Sequence, residues 1–139
     1  MAWRKYPYTP QVNRRGPMSF TYRPLVEIAV SGENNTETFM ALVDSGTEIT
    51  MMDSEIAAVL GIDPIKGKKA TASGIGGDKP GFLCKVHIQV QGFDDVLTCN
   101  VLFIENLTFD IILGQDDFFK RFLVKFEKRK NTFYLDTAL

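Results

Sequence analysis

Phe39-Met40-Ala41-Leu42-Val43-Asp44-Ser45-Gly46-Thr47 sets a lone carboxylate, a hydroxyl and a glycine at the end of an apolar run. The run from Phe39 to Val43 reads as a buried strand, so Asp44 falls on a sharp turn. A glycine two positions after the acid admits backbone dihedrals that other residues avoid, and the small Ser45 leaves room for another chain or a substrate. Asp-Ser/Thr-Gly arises by chance in roughly one chain in fifteen of this length, so the motif needs support from elsewhere. A second apolar run, Phe109-Asp110-Ile111-Ile112-Leu113-Gly114, ends in glycine ahead of a short helical pattern. Between the two lies the glycine-rich segment Ser73-Gly74-Ile75-Gly76-Gly77.

These three elements, in this order, resemble the retroviral-type (retropepsin-like) aspartic proteases, and the resemblance spans roughly residues 25 to 135. It implies a mainly β fold with one or two short helices: a closed β-barrel lobe of the acid-protease type, one lobe per chain. It also implies that Asp44 is the catalytic carboxylate and that Ile75, Gly76 and Gly77 form the tip of a β-hairpin flap over the substrate. Gly114 would brace the active-site loop. Ser45 would hydrogen-bond across a dimer, Gly46 would let substrate backbone lie close, and Thr47 stands where alanine is frequent. Retroviral members carry an arginine at the position of Gln115, paired with an acid at the position of Glu48. A neutral Gln115 could hydrogen-bond Glu48, without the charged link.

Composition bounds the alternatives. With 139 residues, 45% of them apolar, the chain has the material for one core. A formal net charge of -1 provides no field to recruit nucleic acid or an anionic membrane. Apolar runs fall far short of the roughly 20 residues that span a bilayer. Residues 1 to 8, Met-Ala-Trp-Arg-Lys-Tyr-Pro-Tyr, lack the hydrophobic core of a signal peptide, so the expectation is a cytoplasmic protein. Cys84 and Cys99 sit in strand-like segments, where a thiol packs as a small hydrophobe more often than it pairs. The single histidine, His87, argues against a His-rich zinc site and a Ser-His triad, and no metal or cofactor is expected.

Along the chain, residues 1–22 carry Pro7, Pro10, Pro17 and scattered aromatics without a period, and read as an extended N-terminal arm ahead of a domain at 23–139. Such an arm is a loose tail, a segment packed on a partner subunit, or one cut off by the protein itself. Strands are predicted around 25–30, 39–43, 49–52, 68–73, 84–90, 96–104 and 109–113 from period-two alternation or continuous apolar runs. Asp53 reads as the N-cap of a short helix stopped by Gly61, and residues 115–122 as a second helix with acids first and bases last. A phosphate-cradling role for the glycine-rich segment would need a helix directly after it, whereas alternation follows. Residues 123–135 read as a closing hairpin, with Lys128-Arg129-Lys130 as a solvated turn.

Aspartic peptide hydrolysis needs two carboxylates, one charged to take a proton from water and one neutral to donate to the carbonyl oxygen. Asp44 is the only Asp followed by Ser-Gly or Thr-Gly, and the chain is too short for a second lobe. The second acid is therefore expected from another copy across a two-fold axis, in a homodimer acting on a peptide or protein. Two such carboxylates cannot both ionise easily, so the pair would hold a single proton. Ile75, Leu113 and Ile49 are the expected apolar walls for substrate. The alternative is a non-catalytic dimerisation or peptide-binding module on the same fold.

Overall fold

The computed structural model describes residues 2–13, 19–74 and 77–138. Three strands come first: β1 (Arg4–Pro7), β2 (Thr9–Asn13) and β3 (Ser19–Arg23). The body follows as β4 (Leu25–Ser31), β5 (Thr36–Val43), β6 (Met51–Asp53), α1 (Ser54–Leu60), β7 (Lys68–Gly74), β8 (Gly77–Val90), β9 (Val96–Ile104) and β10 (Ile111–Leu113). A single turn of helix, α2 (Phe118–Arg121), leads into the hairpin of β11 (Phe122–Glu127) and β12 (Thr132–Thr137).

Seven strands form one sheet in the order β4-β5-β10-β6-β9-β8-β7, and β4 also pairs with β8. That pairing, Ile28 opposite Val90 and Val30 opposite Ile88, closes the sheet into a barrel and leaves β7 outside the ring, hydrogen-bonded to the first half of β8. Closure removes two of the edges that an open sheet would leave unpaired. Alternation decides what faces inward: Val26, Ile28 and Val30 on β4, Val86, Ile88 and Val90 on β8, and Leu97, Cys99 and Val101 on β9 are all buried. Glu27, His87 and Gln89 between them are exposed. Each fully buried aliphatic side chain contributes about 1.5–3 kcal/mol, so the inward rows carry the fold. Both cysteines are free, and burial pushes the Cys99 thiol up to about 12, as for a residue that only packs.

The first helix follows the predicted signals. Asp53 caps it through a bond from the Glu55 amide to Oδ1 (3.0 Å), and Gly61, at φ 73°, ends it in the left-handed conformation. The other carboxylate oxygen of Asp53 accepts from the Leu107 amide at 2.9 Å, which ties the helix start to the loop before β10. Asp53→Ala removes both bonds, and we expect a loss of about 1–3 kcal/mol in urea unfolding. An unchanged midpoint would show that these bonds add nothing.

Two elements differ from expectation. The second helix begins at Phe118, not near 115: residues 115–117 form a turn in which the Phe118 and Phe119 amides both donate to the Gly114 carbonyl, and the chain is extended again from Phe122. The N-terminal arm is extended but not loose. Its β1 pairs antiparallel with β12, Tyr8 is buried against the core, and the Tyr6 hydroxyl donates to the Gln91 carbonyl. Loss of residues 1–22 would strip a strand from that sheet and an aromatic ring from the core. No helix among the described residues is long and apolar enough to cross a membrane.

Candidate active site

Asp44 is the first residue after β5, and its amide donates to the Leu113 carbonyl at 3.2 Å, extending the parallel pairing of β5 with β10. The chain then turns, with the Thr47 amide donating to the Asp44 carbonyl (3.3 Å). Each carboxylate oxygen receives one donor from this turn. The Gly46 amide donates to Oδ1 at 2.9 Å and the Thr47 hydroxyl to Oδ2 at 3.1 Å. The carboxylate is thereby fixed in orientation while the residue stays half-buried. Gly46 does not have a positive φ. A Cβ there would lie 3.2 Å from Asp44 Oδ1, so a side chain at this position would push the carboxylate aside by a few tenths of an ångström.

The loop after Asp44 is held from behind by the residues that follow β10. The Gly114 amide donates to the Thr50 hydroxyl (3.1 Å), the Gln115 amide to the Thr47 carbonyl (2.8 Å) and the Asp116 amide to the Glu48 carbonyl (2.8 Å). The Gln115 side chain does not take the Glu48 carboxylate as its partner. Its Nε2 donates instead to the Ser45 carbonyl at 2.6 Å, a neutral tie across the turn. Gly114 is buried, and a Cβ on it would stand 2.9 Å from backbone atoms of Thr47, Glu48 and Ile49. Ser45 itself is exposed.

Thr50 was not singled out by sequence reasoning. It is fully buried; its hydroxyl receives the Gly114 amide and its carbonyl receives the Leu102 amide at 2.9 Å. The available signal was a lone hydroxyl between apolar residues at the entry to a strand, where a buried polar group needs a partner.

A hollow of about 560 Å³ opens beside the turn. Gly46, Thr47, Ile49, Met51, Leu107 and Ile112 line one side, and Thr71, Ala72, Ser73, Gly77 and Lys79 of the β7–β8 hairpin line another. Ile49 lies where expected. Leu113 does not: it is 1% exposed and belongs to the main core, while Ile112 faces the hollow, because β10 is buried on both faces and apolar identity alone does not reveal which residue turns outward. The expected flap residues Ile75 and Gly76 lie outside the described residues; Gly77 follows at φ 98°, a conformation suited to glycine. A larger hollow of about 1080 Å³ adjoins across Thr71 and Lys79 but includes no residue of the Asp44 turn, so the chemistry and not the volume locates the site. No group of three or more His, Cys, Asp or Glu among the described residues is placed to hold a metal ion.

A closed one-lobe barrel with Asp-Ser-Gly on a braced turn defines the retropepsin-like class. The barrel is similar to that of a retropepsin-like aspartic protease from Rickettsia conorii, 19% identical over 96% of this chain and 98% of that one, with a TM-score of 0.56. It is also similar to the EIAV protease complexed with the inhibitor HBY-793, 22% identical over 68% of this chain and 83% of that one, with a TM-score of 0.53. None of the curated proteins compared with the chain matches it. The family model described as aspartyl protease matches residues 26–116, and the chain belongs to that family.

Proposed function

We propose that the protein is an aspartic endopeptidase whose active site is completed by a second copy of the chain, each copy supplying Asp44. The observation that carries this reading is the Asp44 turn. A single carboxylate is oriented by Gly46 and Thr47 and braced by Gly114, and the Gly46–Thr47 part of its turn lines a hollow with both polar and apolar walls. With one such acid per lobe, the acid and base roles divide between two subunits. The charged member of the pair takes a proton from a water held between them. The oxygen of that water attacks the peptide carbonyl, and the neutral member donates its proton to the carbonyl oxygen. No covalent intermediate forms. Like charges held this close oppose a second ionisation, so one proton is shared and titration belongs to the pair, not to either subunit. Activity is therefore expected to be highest at acidic to mildly acidic pH, where the pair holds one proton. Ile49, Met51, Leu107 and Ile112 favour substrates with apolar side chains at the cut.

The test is cleavage of an unfolded protein or a peptide library between about pH 3 and 7, with inhibition by a statine-type transition-state mimic. A wild type that is silent at concentrations where sedimentation shows dimer would favour the peptide-binding module instead. A finer test concerns Thr47. Thr47→Ala deletes the donor to Oδ2 and should lower kcat about tenfold, the rate equivalent of about 1.4 kcal/mol, with the melting temperature unchanged. Equal kcat values would mean that the hydroxyl does not help to orient the acid.

A further inference from the structure

The hairpin of β2 and β3 is amphipathic in the wrong direction for a monomer. Its register sets Pro10 opposite Tyr22 and Val12 opposite Phe20, so these four residues share one face, while Thr9, Gln11 and Thr21 share the other. On the polar face Thr9, Gln11 and Thr21 are half-buried, while Ser19 and Arg23 are exposed. The apolar face is open: Val12 is 56% exposed, Phe20 60% and Tyr22 42%. The two strands form a sheet of their own, hydrogen-bonded to no third strand among the described residues. An isolated pair of strands is marginal in water unless its apolar face is covered.

The hairpin is nonetheless held in place at its base. The Lys128 ammonium donates to the Tyr22 carbonyl (3.1 Å) and to Asn131 Oδ1 (3.2 Å), and lies 5.2 Å from the centre of the Tyr8 ring. The Arg23 guanidinium sits 5.5 Å from the centre of the Phe109 ring. A segment anchored at its base with its apolar face turned outward is built to meet something.

We infer that the β2–β3 hairpin is a dimerisation arm whose Pro10, Val12, Phe20 and Tyr22 face packs on a second copy of this chain. The inference rests on the shared-site reading above, and the position of the arm supplies the argument for that occupant. The arm joins the body at Arg23 and Pro24, and the Pro24 carbonyl accepts the amide of Val43, the residue before Asp44, at 2.9 Å. It therefore springs from the same edge of the barrel that carries the carboxylate. Strands of five residues extend about 16 Å. A second Asp44 brought to the first approaches this edge, where the arm is rooted. Covering the apolar face and completing the site are then one event.

The experiment is sedimentation equilibrium of wild type, of Asp44→Asn, and of Val12→Thr/Phe20→Ser, with near-UV circular dichroism to check the fold of each. Wild type and Asp44→Asn should dimerise alike, and the double variant should show a dimer dissociation constant at least about tenfold weaker. Its specific activity should fall at low protein concentration and recover at high concentration. A second measurement does not depend on how well the double variant folds. With p-benzoylphenylalanine in place of Phe20, irradiation of mixed ¹⁴N and ¹⁵N chains should give mixed-isotope cross-links between chains. Cross-links only within one chain, or a double variant that dimerises as tightly as wild type, would overturn the inference while leaving the catalytic reading intact. A tight, arm-dependent dimer without peptidase activity would do the reverse.

Discussion

Replacing Asp44 by Asn is expected to preserve the fold and to lower peptide hydrolysis by about 10²–10⁴-fold or more, the range for losing a general acid–base group. The substitution keeps the shape of the side chain. An Asn oxygen can still accept from the Gly46 amide, and its NH₂ can donate to the Thr47 hydroxyl, which accepts as readily as it donates. The turn therefore has no reason to move. What disappears is the ability to take and return a proton, and in a homodimer it disappears from both subunits at once. Initial rates on one peptide, with circular dichroism as the control for folding, measure the effect. Full activity in the variant would assign the acid elsewhere.

The second large effect is expected at Gly114. A Cβ there would stand 2.9 Å from the carbonyl oxygens of Thr47 and Glu48 and from the carbonyl carbon of Ile49. All three are backbone atoms in a turn that is itself hydrogen-bonded to Gly114, Gln115 and Asp116, so no flexible side chain can give way. Gly114→Ala should destabilise the protein by about 1–3 kcal/mol, as overpacking does. In a domain of this size that lowers the melting temperature by on the order of 5–10 °C. Activity should fall further than stability, because shifting a catalytic group by about 1 Å can cost 10²-fold. Gly46→Ala provides a contrast: its Cβ meets only the Asp44 carboxylate, at 3.2 Å, so activity should drop with little change in melting temperature. A Gly114→Ala protein that melts and cleaves like wild type would mean that the brace is loose.

The turn, the brace and most strands were legible in the sequence because each is encoded locally. Alternation wrote out β4, the second half of β8 and β9, and the Asp53 cap with the Gly61 stop bounded α1 within a residue. What was not legible depends on residues far apart in the chain. Closure of the barrel requires Ile28 to meet Val90, and nothing within either strand names the other. The pairing of β1 with β12 joins the two ends of the chain, so residues without periodicity of their own became part of a sheet. The role of Thr50 appears only when Gly114 is brought to its hydroxyl across 64 positions. In the same way, the bonds from the Gln115 and Asp116 amides to the carbonyls of Thr47 and Glu48 join segments far apart in the chain, which local periodicity does not register.

The most direct test of a shared active site is a titration of wild-type protein with Asp44→Asn chains after subunit exchange. If each site needs one carboxylate from each copy, mixed dimers are inactive. In an equimolar mixture with random pairing, activity should then fall to about half of that given by the same wild-type chains alone, and it should tend to zero as the variant is added in excess. Activity per wild-type chain that stays constant at every ratio, under conditions where sedimentation shows exchange, would contradict the account.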